Sequence, residues 1–356
     1  MSKGLFTQGI CVLFDRAVSL EQLRQQLKIF EFVGVQESGV GEPVQQTLVY
    51  QFAPDSAGHL LVTVADTPWI DPIGDPTADP DQFLAWSLGQ LGPLAYPGCL
   101  ERAVEQTWDW PEAESKIAGH RYHVRLLISY LIGNDEDAEE SESLESELDD
   151  FDSEFSLDAE EEDIDLIPAA YDPLEELQFM MRGVSRIMQL PGAVCYFNPG
   201  GEVLADEDAL RRGLNEAWSL ERPPVEMWTN VRIFNLDGPW ILMDTVGMGQ
   251  LDCPDLEAVF HRDQLQPAQV EAFLRSGTAL QIRNAADFSD GDVAEGSSGV
   301  VWRAIECEEG LSDPPRETVR WVLNEGPQPP DMLLRSKTVT EDYDGFDPDD
   351  LGELPY

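Results

Sequence analysis

Short apolar runs bounded by turn-forming residues recur along the chain and predict β-strands. Two of them, at 47–52 and 59–65, flank the segment APDSAG and are expected to pair as antiparallel strands. The segment RYHVRLLISYLI at 121–132 has the strongest strand pattern, and a buried strand is also expected at 9–14. Two further hairpins are expected where apolar runs meet at NPGG and at NLDGP.

Apolar positions three or four residues apart predict amphipathic helices between these strands. The strongest helix pattern is DPLEELQFMMRGVSRIMQL at 172–190, which Asp172 is expected to cap. Its methionines fit an adaptable binding groove, but their helical spacing is more typical of a core. Another helix is expected after Ser19, which forms a capping box with Gln22. Strands and helices do not alternate strictly, so the pattern predicts an α+β fold, with antiparallel or mixed sheets and packed helices.

A long acidic run interrupts this pattern between the strongest strand and the strongest helix. Residues 134–167 are predicted to be a disordered insertion, because dense like charge opposes compaction. The insertion separates an N-terminal α+β region, 1–133, from a C-terminal α+β region, 168–310. An extension with an acidic tail, 311–356, completes this division of the chain.

The acidic run accounts for only part of an extreme net charge. The formal charge of the chain is −47, and the run holds 18 acidic residues without a lysine or arginine. The rest of the chain therefore carries −29. Such a field repels nucleic acid and anionic membranes, which bind clustered basic residues. We expect a protein partner with a basic surface, and acidic mimicry of nucleic acid remains an alternative.

Four apolar residues within the run form the candidate partner-binding site. Leu144, Leu148, Phe151 and Phe155 are four, three and four positions apart, so a helix would align them on one face. The residues between them are acidic or serine, as expected of an acidic amphipathic helix that docks in a groove with a basic rim. The alternative is a disordered loop in which this spacing is accidental.

Cysteine usage and the N-terminal sequence bear on the compartment. The five cysteines are far apart and form no CxxC pair, which argues against a zinc ribbon or a disulfide framework. The N-terminal sequence lacks the features of a signal peptide, and no apolar run has the length of a membrane span. A reducing cytoplasm is the expected location, without membrane association.

The search for catalytic chemistry gives only weak candidates. The Asp-Pro pairs of 66–83 suggest a metal site, but Asp-Pro also starts turns and helices. His120 and His123 are expected on opposite faces of a strand, and a Cys195–His123 pair requires neighbouring strands. No P-loop, nucleophile elbow or dinucleotide fingerprint is present. We therefore expect no metal, cofactor or catalytic residue. The alternative is a hydrolase-like enzyme with a cleft between subdomains.

The C-terminal half contains a recognisable pattern. The segments DTVGMGQLDCPDLEAVF at 244–260 and FSDGDVAEGSSGVVWRA at 288–304 flank a helix. This pattern resembles the C-terminal region of a bacterial family of uncharacterised proteins, domain of unknown function 4261. The resemblance covers about 226–309, and the strand, helix, strand order of 121–197 extends it toward 121. The acidic insertion departs from the family pattern. The family supports the architecture and supplies no activity.

Overall fold

The computed structural model describes residues 3, 5–38, 45–130, 168, 171–284, 288–296 and 299–334. The chain divides into two compact units, Met1–Asn230 and Val231–Tyr356. The acidic run at 134–167 lies outside the described residues. The same is true of its four candidate partner-binding residues, Leu144, Leu148, Phe151 and Phe155.

The first unit contains seven strands and six helices among its described residues. The strands are β1 (Gln8–Phe14), β2 (Phe32–Ser38), β3 (Gln45–Ala53), β4 (Gly58–Ala65), β5 (Tyr122–Ser129), β6 (Ala193–Asn198) and β7 (Val203–Ala205). The helices are α1 (Leu20–Gln26), α2 (Pro80–Ser87), α3 (Cys99–Glu105), α4 (Ala113–Ile117), α5 (Pro173–Ile187) and α6 (Glu207–Ser219). The strands form one antiparallel sheet in the order β2-β3-β4-β5-β1-β6-β7.

Helices α1 and α5 begin at the capping residues that the sequence predicts. Ser19 and Gln22 form the capping box of α1, and the Asp172 side chain accepts hydrogen bonds from the Leu174 and Glu175 amides at the start of α5. The methionine-rich stripe of α5 is core, since Met181 and Val184 are almost fully buried. Helix α5 packs against β1 and α1, on one face of the sheet.

The opposite face of this sheet is covered by the segment that carries α2, α3 and α4. Cys11, Leu13, Cys195 and Phe197 of the sheet pack there against the buried residues of these helices. Gly9 allows a close approach, because a Cβ at this position would lie 2.6 Å from the Gly92 Cα. The loop that contains Gln90, Leu91 and Gly92 therefore packs directly against β1.

The second unit contains a mixed sheet. Its strands are β8 (Asn230–Asn235), β9 (Trp240–Val246), β10 (Asp255–His261), β11 (Val293–Glu295), β12 (Val301–Cys307) and β13 (Thr318–Leu323). They are ordered β11-β12-β13-β10-β9-β8, and β10 and β13 run parallel. Helices α7 (Pro267–Asn284) and α8 (Asp331–Leu334) complete the described elements of this unit. Val270 and Leu274 of α7 pack on one face of the sheet with Trp302 and Trp321.

The structure confirms an α+β architecture with antiparallel and mixed sheets. The two compact units do not coincide with the regions 1–133 and 168–310 suggested by the sequence. The reason is that β6 and β7 follow the acidic run yet pair into the first sheet through β1. The extension predicted at 311–356 contributes β13, an internal strand of the second sheet. No helix in the described part of the chain is long and apolar enough to cross a membrane.

Candidate functional site

A cleft of about 510 Å³ opens in the first unit. Its volume falls within the range of about 300–1,000 Å³ that is typical of ligand pockets. One side is formed by the sheet, through Ala65 of β4 and through His123 and Arg125 of β5. The other side is formed by the chain from Thr67 to Leu91, which includes α2.

His123 forms part of the cleft lining as a neutral side chain. Burial and the neighbouring charge of Arg125 lower the pKa of His123 to about 3. The imidazole Nδ1 lies 3.0 Å from the Thr67 carbonyl oxygen, to which it donates its hydrogen. The neutral ring also makes an edge-to-face contact with Trp69. His123 therefore positions the segment that starts the cleft wall and adds no charge to the cleft at neutral pH.

The aspartates of the 66–83 segment have separate roles. The Asp71 carboxylate caps α3, accepting hydrogen bonds from the Leu100 and Glu101 amides at 2.9 Å. Asp75 accepts hydrogen bonds from the Ala78 and Thr77 amides, which hold the pKa of Asp75 below its ordinary value. These contacts explain the first two Asp-Pro pairs as turn and cap signals. The described residues contain no cluster of three or more His, Cys, Asp or Glu side chains suited to a metal ion.

Asp79 and Asp81 differ from the other aspartates of this segment because their carboxylates are exposed at the cleft. Asp79 is the N-terminal flanking residue of α2, yet its side chain makes no capping hydrogen bond. Neither carboxylate has a hydrogen-bond or ion-pair partner among the described residues. Both are therefore available to a ligand.

The structure does not bring Cys195 and His123 together as a catalytic pair. Their strands are separated by β1, and Leu13 pairs with Cys195 on one side and with His123 on the other. Two strand spacings amount to about 10 Å, too far for a hydrogen bond between the two side chains. Burial also raises the pKa of the Cys195 thiol well above its ordinary value. His120 has a structural role, because its Nε2 accepts a hydrogen bond from the Trp69 amide at 2.8 Å.

The second unit contains a buried network of ion pairs. Arg232 donates to both carboxylate oxygens of Asp244, with distances of 3.0 and 2.7 Å. Arg316 donates to Asp244 at 2.6 Å and to Asp255 at 3.1 Å. Burial opposes ionisation of Asp244, but the two guanidinium groups outweigh it and hold the pKa of Asp244 below its ordinary value. The network includes a further buried pair, Arg320 with Glu257.

These ion pairs hold a loop against the sheet. The Arg232 guanidinium donates to the Asp313 carbonyl at 2.8 Å, and Arg316 donates to the Pro314 carbonyl at 2.8 Å. The Glu257 carboxylate accepts a hydrogen bond from the Leu311 amide at 3.0 Å. Each of these carboxylates is thus engaged by a guanidinium group, and we interpret the network as a structural clamp on residues 311–316.

Sequence reasoning identified parts of these sites and missed others. The sequence predicts candidate chemistry at His123 and in the 66–83 segment, but it predicts Arg125 only as part of a strong strand. Alternation in RYHVRLL was the available signal, since it places His123 and Arg125 on the same face of a buried strand. No local signal predicted that Arg316 and Arg320 would pair with carboxylates about 60 residues earlier.

The first of the two segments behind the family resemblance, 244–260, contributes to the buried network. Asp255 accepts hydrogen bonds from the Thr245 hydroxyl at 2.7 Å and from the Gly247 amide at 3.2 Å. Gly247 has a φ of +118°, a conformation that favours glycine. The stretches DTVG at 244–247 and PDLE at 254–257 are therefore joined by one hydrogen-bonded turn, and they supply the carboxylates of the ion pairs.

Comparison with known proteins finds a family match in this part of the chain alone. No curated protein and no solved structure matches. The match to a family model covers residues 244–322 and does not extend back to 121. The family is described as a domain of unknown function, DUF4261, and the resemblance inferred from the sequence is confirmed for this C-terminal region.

Proposed function

We propose that this protein is a non-enzymatic binding protein of the reducing cytoplasm whose acidic surfaces engage a basic segment of a protein partner. The cleft of the first unit is the proposed place of contact. The observation that carries the proposal is the pair of exposed, unpartnered carboxylates, Asp79 and Asp81, that line it. The chain has no lysine or arginine between Lys28 and Arg102, so the segment that builds this wall is uniformly acidic.

The cleft offers a lysine or arginine side chain two kinds of contact. Asp79 and Asp81 supply charge, while Ile70 and Leu91 supply apolar surface for the aliphatic part of the side chain. Exposed ion pairs contribute little individually, so contact with both carboxylates and with the apolar surface is needed for retained affinity. The surrounding negative field of the chain would speed encounter with a basic partner.

The chemistry of the buried polar groups favours binding over catalysis. The thiols of Cys11, Cys99 and Cys195 are buried, and burial raises the pKa of each, which suppresses the reactive thiolate. The buried carboxylates Asp244, Asp255 and Glu257 of the second unit are engaged by arginines. All five cysteines are free, which supports a reducing compartment.

The proposal is tested with a hexapeptide that contains two lysines, using calorimetry at low and at physiological ionic strength. The double substitution Asp79→Asn/Asp81→Asn should weaken binding about tenfold, because it removes both cleft carboxylates. Binding to the unchanged protein should weaken as salt increases, since the charges are exposed.

The matched control is Glu112→Gln/Glu114→Gln, which removes the same charge from exposed residues that do not line the cleft. This variant should change affinity less than about twofold, as expected for long-range charge alone. Equal weakening by both double variants, or no binding of the peptide to the unchanged protein, would refute the proposal.

A further inference from the structure

Arg125 belongs to β5, an interior strand of the seven-stranded sheet. It lies on β5 between two paired neighbours, Cys11 of β1 and Thr63 of β4. Its side chain shares a face with His123 and lines the cleft. Arg125 is the one cationic side chain among the described residues that form the cleft lining, because His123 is neutral at pH 7.

The guanidinium group of Arg125 has no anionic partner among the described residues. Its Nη1 donates to the Gln90 carbonyl oxygen at 3.0 Å. The Nε atom is inaccessible to solvent and has no hydrogen-bond partner. Cys11 opposite Arg125 supplies no compensating charge, because burial raises the pKa of its thiol far above neutrality. Arginine itself remains charged in proteins.

Arg125 is partly buried, so its unpaired charge loses part of its hydration on folding. Buried charges are normally paired, since the loss of hydration is otherwise not offset. The buried arginines of the second unit follow this rule, and Arg316 contacts two carboxylates. Arg125 departs from it on the surface of a cleft, which is where a ligand would supply the missing anion.

We propose that Arg125 binds a carboxylate group carried by the ligand of the cleft. One guanidinium matches one carboxylate in charge and, through its two terminal nitrogens, in paired hydrogen-bond geometry, since Nε is inaccessible. A phosphate dianion would bring two negative charges into a cleft whose lining already contains Asp79 and Asp81 and supplies one cation, Arg125. The inference rests on the proposed function for the rest of the ligand. Asp79 and Asp81 bind a basic side chain of the partner's segment, and Arg125 binds the free carboxylate at the C-terminus of that segment.

Three probes separate the possible sources of the carboxylate. The first is a hexapeptide with two lysines near a free C-terminal carboxylate, and the second is the same peptide with a C-terminal amide. The third is propionate, a small carboxylate without a cation. Binding is measured by calorimetry with the full-length protein, and propionate is also followed through the thermal unfolding midpoint.

The free-acid peptide should bind about tenfold more tightly than the amide, since a charge-assisted bidentate contact is lost in the amide. Arg125→Met should abolish this preference, and Arg125→Lys should retain only part of it because the lysine lacks the planar fork. Asp79→Asn/Asp81→Asn should weaken both peptides by a similar factor and leave their ratio unchanged.

The unfolding midpoint of Arg125→Met distinguishes a ligand-binding arginine from one that only stabilises the fold. Arg125→Met removes an uncompensated charge and keeps much of the side-chain volume, but it also loses the hydrogen bond to the Gln90 carbonyl, so the unfolding midpoint should change little. A fall of several degrees would show that the protein itself compensates Arg125, which contradicts the inference.

The remaining outcomes distinguish the two proposals. Equal binding of both peptides that still depends on Asp79 and Asp81 overturns the carboxylate site and leaves the proposed function standing. Stabilisation by propionate that requires Arg125, without binding of either peptide, keeps the carboxylate site and overturns the proposed peptide partner. Absence of binding by all three probes overturns both.

Discussion

Glu176 is a fully buried carboxyl group near the start of α5. The Thr7 hydroxyl donates a hydrogen bond to it at 2.7 Å, but burial dominates and raises the pKa of Glu176 to about 7. Between pH 4.5 and 7 the folded protein therefore binds more protons at this site than the unfolded chain does. The stabilising contribution of Glu176 is complete below about pH 4.5 and is lost as the pH rises through 7.

We predict that Glu176→Gln removes this pH dependence. The stability of the unchanged protein, relative to the variant, should decrease by up to ~3 kcal/mol from pH 4.5 to pH 8. Urea denaturation across this range measures the difference, and the shared titration of other groups cancels in the comparison. Glu175→Gln is the control, since Glu175 is exposed in the same helical turn. Parallel stability curves for the unchanged protein and Glu176→Gln would contradict the prediction.

Asp244 gives a second residue-level prediction, in the second unit. Asp244→Asn leaves both Arg232 and Arg316 facing a neutral acceptor in a buried environment. We expect a loss of about 3–5 kcal/mol in the free energy of unfolding, the typical cost of breaking a buried pair from one side. Thermal unfolding of the full chain detects it. Asp263→Asn, at a largely exposed aspartate, should have little effect; a loss below ~1 kcal/mol for Asp244→Asn would show that the clamp is dispensable.

At the scale of elements, local signals predicted those whose causes are local. The capping box of α1 and the Asp172 cap of α5 lie within a few residues of the helices that they begin. The hairpin partners β3 and β4 follow each other directly across a turn. In these cases sequence spacing alone determines which groups can meet.

The elements that sequence reasoning missed depend on distant partners. Strand β10 has the sequence DLEAVFH, in which Glu257 and Ala258 are poor strand formers. Its conformation is stabilised by pairing with β9 and β13 and by the ion pair between Glu257 and Arg320. Strand β13 follows a proline-containing loop and lies within the region predicted from the sequence to be an extension, 311–356. Its place in the sheet becomes evident only from these long-range contacts.

The same limit applies to the candidate site. The sequence pointed to the acidic segment and to His123, because Asp-Pro pairs and histidines are recognisable individually. The unpartnered state of Arg125 is a property of the folded cleft, since it depends on which carboxylates fail to reach it. The four residues singled out in the acidic run, from Leu144 to Phe155, stay a prediction.

At the scale of the whole molecule, the negative charge is distributed unevenly. The acidic run carries 18 of the negative charges, and the remaining −29 belongs to the rest of the chain. Removing the run would therefore retain a strongly acidic protein and the cleft with Asp79 and Asp81. The contribution of the run to folding can consequently be tested separately from the contribution of the cleft to binding.

We predict that deletion of 134–167 leaves the thermal unfolding midpoint of the protein unchanged within about 2 °C, which corresponds to about 1 kcal/mol. Strand β5 is paired on both sides, and α5 has its own cap, so neither element needs the run to form. The Tyr130 side chain lies beside Glu176 at the start of α5. Seven residues would remain between Asp172 and Tyr130, and they can span up to about 23 Å.

The apolar residues of the run supply the control for this deletion. Replacing Leu144, Leu148, Phe151 and Phe155 with serine in the full chain keeps every charge and removes only the apolar face. If these residues serve an external partner, this variant should unfold at the same temperature as the unchanged protein. A fall of several degrees shared by the deletion and the serine variant would show that the four residues pack onto their own fold, because about 25 cal/mol per Å² of apolar burial would be lost in both. A fall confined to the deletion would instead indicate strain in the shortened connection, since loop closure itself changes only slowly with length.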